Sequence, residues 1–99
     1  MLTVITETTL KSRSEADWDH AYHERAADAR AQPGWVDLHL LIPEGDERTR
    51  VVVGTWRDRA AWEAWHATAT FQRTRSQLDA ATESHGSERW FRVAAQETA

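Results

Sequence analysis

The run from Val51 to Leu78, VVVGTWRDRAAWEAWHATATFQRTRSQL, limits the possible folds more than any other part of the chain. It reads as strand, cap and helix, and it holds three tryptophans, Trp56, Trp62 and Trp65. Val51, Val52 and Val53 are stiff at χ1 and suit a pleated strand. Gly54 leaves room for a close approach to the backbone. Asp58 can accept from the first free N–H groups of a helix, so it is read as an N-cap. Trp62 and Trp65 lie three positions apart and share one helical face. An aromatic wall is therefore expected beside the end of a strand, either as packed core or as one side of a pocket.

The flanking segments supply the remaining layers. Leu2 to Leu10, LTVITETTL, alternates and is rich in β-branched residues. It predicts a strand with Leu2, Val4, Thr6 and Thr8 on one face and Thr3, Ile5, Glu7 and Thr9 on the other. Ser14-Glu15-Ala16-Asp17 has the form of a capping box and opens a helix running to about Ala31. Trp18, Ala21, Tyr22, Ala26 and Ala29 make its apolar stripe. Gln32-Pro33-Gly34 ends it. Trp35 to Ile42 predicts a second strand, with Trp35, Asp37, His39 and Leu41 facing away from Val36, Leu38, Leu40 and Ile42. Pro43 to Asp46 is a turn, and Arg48 to Trp56 a third strand. The helix after Asp58 is expected to bend or break near Ala67 to Thr70, then to resume through Phe71, Arg75 and Leu78. Ser84 to Ser87 reads as a loop and Glu88 to Gln96 as a fourth strand.

The resulting order is β-α-β-β-α-β, an α+β, ferredoxin-like arrangement with an antiparallel four-stranded sheet over residues 1–99 as one domain. Such a sheet carries helices on one face, and its other face should read polar in a lone subunit. Here the first two strands place Ile5, Trp35 and Leu41 opposite Val4, Leu38 and Leu40. A second layer is implied, and an identical sheet from another copy is the simplest source, so a homodimer is expected.

Composition removes several classes of function. The absence of cysteine excludes disulfides, zinc–thiolate sites and a cysteine nucleophile. A net charge of −4 argues against non-specific nucleic-acid binding. No apolar run reaches the length of a membrane span, and no signal-peptide pattern opens the chain. A cytoplasmic protein with no membrane or nucleic-acid partner is the expectation. Six tryptophans in 99 residues concentrate the apolar area in a few large side chains.

Pro33-Gly34-Trp35, the Pro43 hairpin, Val53-Gly54-Thr55-Trp56-Arg57-Asp58, Ala61-Trp62-Glu63-Ala64-Trp65-His66 and Phe71 together carry a resemblance over nearly the whole chain. The chain resembles the antibiotic-biosynthesis-monooxygenase family of dimeric α+β barrels. That resemblance implies a homodimer with a pocket between sheet and helices in each subunit. It also implies a cofactor-independent oxygenase acting on a small polyketide- or quinol-type aromatic. One branch of the family degrades haem, using an asparagine on the first strand, a tryptophan on the second helix and a histidine iron ligand further along. Trp65 matches the tryptophan. The asparagine position falls on Thr6 or Thr8, and the histidine position on Thr74 or Arg75. Haem is therefore kept as the alternative ligand and no cofactor as the first expectation.

Candidate site residues follow. Trp65 would stack on an aromatic ring and donate its indole N–H, or else pack as core. Thr6 and Thr8 would offer hydroxyls from the first strand. His39 would act as a base near neutral pH, or make a buried hydrogen bond at a subunit interface. Trp62, His66, Phe71 and Arg75 complete the expected substrate contacts, with the guanidinium suited to an anionic oxygen. Trp65, Thr8 and His39 are the catalytic candidates; Thr6, Trp62, His66, Phe71 and Arg75 are the binding ones. His20 and His23 share one turn, but nothing completes a metal site there. A binding module without turnover, for haem or a hydrophobic metabolite, is the rival reading. So is a structural partner whose pocket its own side chains fill.

Overall fold

The computed structural model describes residues 1–99. Its elements are β1 (Leu2–Leu10), α1 (Glu15–Arg30), β2 (Trp35–Leu41), β3 (Thr49–Trp56), α2 (Arg59–His66), α3 (Ala69–Ala80) and β4 (Thr82–Arg92). The four strands form one antiparallel sheet in the order β2-β3-β1-β4, the ferredoxin-like arrangement expected, with the second helical segment split in two. The helices cover one face.

The split falls at Ala67 and Thr68, inside the stretch where a bend or break is expected. The cause is a cap. The Thr68 hydroxyl donates to the Trp65 carbonyl at 2.8 Å and accepts from the Phe71 N–H at 3.2 Å. One side chain thus satisfies the end of α2 and the start of α3. Asp58 caps α2 as expected, accepting from the Ala61 N–H at 2.9 Å. Ser14 stands at the N-cap of α1, but its hydroxyl makes no capping bond, so the expected capping box does not form.

The ladder has three register shifts, one between β2 and β3 and two between β1 and β4, the last of them between Thr9 and Leu10; the first two decide which side chains face the helices. The β2–β3 register shifts between Trp35 and Asp37, so Trp35 lies opposite Trp56 and packs, partly buried, against the helix-side core. Strict alternation had put Trp35 on the far face; the extra residue at Val36 turns it round. The second shift lies between β1 and β4. Thr6 pairs with Glu88 and Thr8 with His85, so β4 carries one residue more than β1 over this interval. Both Glu88 and His85 consequently share the helix face with Thr6 and Thr8. Gly86 sits at the bulge, where a Cβ would stand 2.9 Å from the Glu7 carbonyl oxygen. The expected loop at Ser84 to Ser87 is therefore strand. The expected strand end at Gln96 moves back to Arg92, because Arg92 pairs with Leu2, the first residue of β1.

Helix-side packing forms two clusters. Leu10, Trp18, Ala21, Tyr22, Leu78 and Ala81 make one; Ala29, Trp56, Ala61, Trp65 and Phe71 make the other. Arg50 is buried on this face and ties β3 to α1 through Asp19 at 2.9 Å. Gly34 takes φ +84°, and a Cβ there would meet Ala61 Cβ at 2.6 Å, so α2 lies directly against the β2 entry turn. The opposite face of the sheet carries Ile5, Leu41, Val51, Val53 and Phe91 among Thr3, Glu7, Asp37, His39, Thr55 and Arg89. No helix is long and apolar enough to cross a membrane.

Candidate active site

Between the two clusters the helices stand away from the sheet and leave a cavity of about 410 Å³. That volume lies within the range of about 300–1,000 Å³ that small-molecule sites occupy. β1 supplies Val4, Thr6 and Thr8 to its floor, and β3 supplies Val52 and Gly54. The bare Cα of Gly54 keeps the floor low, with only Leu38 Cδ1 within 3.4 Å of where a Cβ would stand.

The aromatic wall comes from α2 and α3. Trp65 is 6 % exposed and stacks on Trp56 with ring centroids 5.0 Å apart. Phe71 meets its ring edge-on at 4.8 Å. Trp65 is thus both core and cavity wall. Its Nε1–H is sealed from water and has no acceptor, a deficit that costs about 1–3 kcal/mol in a folded protein. Trp62 packs edge-on against Trp90 at 4.5 Å, and the Arg59 guanidinium lies over the Trp90 ring at 4.3 Å, closing one rim.

His66 lies between these rings, 3.5 Å from Trp62 and 4.0 Å from Phe71 by centroid. Its Nδ1 is 2.8 Å from the Trp62 carbonyl oxygen, which can only accept, so Nδ1 carries the proton. Burial lowers the imidazole pKa to about 4. At neutral pH the ring is uncharged, and Nε2 is left as a hydrogen-bond acceptor.

The polar groups of the cavity are disposed unevenly. Tyr22 stacks on Trp18 at 5.5 Å, and burial raises its phenol above the ordinary value, so it stays protonated. Arg25 lies with its Cζ 3.9 Å from the Phe71 centroid. Its Nε donates to the Thr74 hydroxyl and its Nη2 to the Phe71 carbonyl, each at 3.1 Å. Burial pulls this guanidinium down to about 10, which leaves it charged at neutral pH. Arg75, Asp79, His85 and Glu88 also line the cavity and are exposed. Asp79 and His85 pair at 3.3 Å, and Glu88 accepts from the Trp90 indole at 3.2 Å.

Seven of the eight expected site residues, Thr6, Thr8, Trp62, Trp65, His66, Phe71 and Arg75, line this one cavity. His39 does not. It pairs with Val53 on the far face of the sheet, and its Nε2 lies 4.0 Å from Asp37. Its side chain is 62 % exposed. Sequence reasoning missed Arg25, Asp79 and Glu88 and took His85 for a loop residue.

The positions where the haem-degrading branch would place an iron ligand do not fit that group. Thr74 is fully buried, and its hydroxyl lies 2.9 Å from the Thr70 carbonyl oxygen while accepting from Arg25. Arg75 offers a cation. No three histidine, aspartate or glutamate side chains converge as a metal site.

Residues 1–77 match the family model described as antibiotic biosynthesis monooxygenase. Solved structures share the fold at low identity. One is a crystal structure of an antibiotic biosynthesis monooxygenase, 24 % identical with a TM-score of 0.87, covering 96 % of this chain and 100 % of the other. A putative antibiotic biosynthesis monooxygenase from Nitrosomonas europaea is 15 % identical with a TM-score of 0.89 and the same coverage. SnoaB from Streptomyces nogalater, a cofactor-independent oxygenase, is 24 % identical with a TM-score of 0.83 over 98 % of this chain and 94 % of its own. No curated protein sequence matches significantly.

Proposed function

The chain belongs to the antibiotic biosynthesis monooxygenase family, and from that premise we propose that it is a cofactor-independent monooxygenase for a small phenolic or quinol-type aromatic. The observation that carries this reading is the cavity itself. Its walls are the Trp62, Trp65 and Phe71 rings, and it is supplied with hydroxyl, imidazole and guanidinium groups.

In the proposed reaction hydroxide or a buffer base at the exposed mouth takes the phenol O–H proton. Transfer directly to His66 would run about six pKa units uphill, given an imidazole near 4 and a phenol near 10, or roughly 8 kcal/mol. His66 Nε2 instead accepts the hydrogen bond that orients the phenol. The phenolate gives one electron to dioxygen, and the radical pair joins at the para ring carbon as a peroxide. The O–O bond then breaks as that carbon loses its hydrogen. A carbonyl remains, and the second oxygen leaves as water. Overall a phenol and one O₂ give a quinone and one H₂O, with the substrate supplying all the electrons. Arg75 at the mouth would stabilise the anion, and the aromatic walls would exclude water around it. SnoaB, described as cofactor-independent, supports the absence of a flavin or metal in this scheme.

The far face of the sheet, with Ile5, Leu41, Val51, Val53 and Phe91 together, supports a homodimer formed by two such faces. The same reading places the protein in the cytoplasm. The weak basicity of His66 also favours a second reading, a barrel that binds a hydrophobic metabolite without turnover.

Oxygen uptake with 1-naphthol separates the two. The oxygenase reading expects one O₂ consumed per naphthol and a large loss of rate in Trp65→Leu, checked for folding by circular dichroism. Naphthol that binds and yields no uptake above the protein-free rate would leave the binding module. Undiminished uptake in Trp65→Leu would remove Trp65 from the site.

A further inference from the structure

Arg25 is the one charged side chain held inside the aromatic wall. Its guanidinium has two edges suited to paired acceptors. The Nε/Nη2 edge is taken by the Thr74 hydroxyl and the Phe71 carbonyl, both neutral. The remaining edge, Nη1 with the second hydrogen of Nη2, donates to no protein atom and is not sealed from solvent, unlike the Trp65 indole N–H. No carboxylate pairs with the group. Asp79, whose charge it feels, is held by His85, and Glu88 is exposed at the rim. Arg75 adds a second positive charge nearby. A half-buried cation with no carboxylate paired to it and one planar edge open matches a planar, two-oxygen anion.

We propose that Arg25 is an anion subsite and that the substrate is a hydroxylated aromatic bearing a carboxylate, whose two oxygens seat on the free Nη1/Nη2 edge. The proposal rests on the cavity being the substrate site; it does not depend on the oxygen chemistry. Thr74 and the Phe71 carbonyl are the fixed mount, since both belong to α3 while Arg25 comes from α1. The Phe71 ring under the guanidinium holds its plane. Arg75, exposed at the mouth, adds attraction without fixing orientation.

Calorimetric titration of the protein with 2-naphthoate and with 2-naphthamide tests this. The two probes share shape and differ in charge. Naphthoate is expected to bind at least about tenfold more tightly, the scale of a charge-assisted hydrogen-bond pair. Arg25→Gln should abolish that preference while naphthamide affinity stays within about twofold, whereas Arg75→Gln should keep most of it. If Arg25→Gln does not fold, Arg25→Lys serves: a point charge cannot hold both oxygens, so the preference should fall several-fold. Equal binding of the two probes would overturn the anion subsite and leave the substrate site standing. A preference that survives Arg25→Gln, or Arg25→Lys in its place, would also overturn it. Failure of both probes to bind at millimolar concentration would overturn the subsite and the cavity reading together.

Discussion

An imidazole set between two aromatic rings keeps its charge state fixed until the solution is acidic. In the unfolded chain His66 has its ordinary pKa of 6.5; in the folded protein burial holds it near 4. Between those values the unfolded chain binds more protons, so stability falls as pH drops through that window and is insensitive to this residue above it. The urea midpoint of the wild type should therefore fall more steeply from pH 6.5 to 4 than that of His66→Gln. Parallel profiles would contradict the assignment. Carboxylates such as Asp46 and Asp58, whose pKa values their hydrogen bonds lower, titrate alike in both proteins and cancel. Arg50 poses the opposite problem. It is 2 % exposed and relies on Asp19 for its countercharge. Asp19→Ala strands that charge and should cost about 2–4 kcal/mol by urea denaturation, somewhat less than a fully buried pair because Asp19 itself is partly exposed. A loss under about 0.5 kcal/mol would show the pair to be dispensable. At this scale the sequence was legible where chemistry and periodicity agree, as at Trp65 and Phe71. Arg25 left a signal that went unread: it follows Trp18 by seven positions, on the stripe that Trp18, Ala21 and Tyr22 define, where a core residue belongs. His39 was not placed by periodicity alone: its strand face turns away from the cavity, which removes it as a base there and leaves the interface alternative.

Elements are set by caps and bulges as much as by periodicity. The α2–α3 junction depends on one hydroxyl. Thr68→Ala should cost about 1 kcal/mol, and Thr68→Ser should recover most of it. Equal stability of wild type and Thr68→Ala in thermal or urea denaturation would show that the chain breaks there for another reason. Gly86→Ala should cost more, about 1–3 kcal/mol, because its Cβ would press on the Glu7 backbone. Strand and helix periods were readable because each element reports its own pattern. The bulges were not readable, since an extra residue has meaning only against a partner strand. That is why periodicity alone sets β4 too late in the chain and Trp35 on the wrong face. The same bulge brings Glu88 and His85 to the cavity together.

The whole molecule is a sheet with one face sealed by its own helices and one face left half-apolar. If a second copy covers that face, Val53→Asp, a charge on the third strand beside Ile5 and His39, should give a monomer. Sedimentation of a wild-type dimer and a Val53→Asp monomer is the expected result; a wild-type monomer at micromolar concentration would contradict it. Fold and topology were legible at this scale because the order of elements and the tryptophan positions left few arrangements open. The charge inside the cavity was not, because it arises only when α1 and α3 meet. The claim on which the functional account turns is that substrate electrons alone reduce dioxygen in this cavity. Turnover of 1-naphthol under ¹⁸O₂, read by mass spectrometry, tests it most directly. The account predicts one labelled oxygen in the 1,4-naphthoquinone, the other in water, and no hydrogen peroxide in amounts matching product. Unlabelled quinone, or peroxide formed one for one with product, would contradict it.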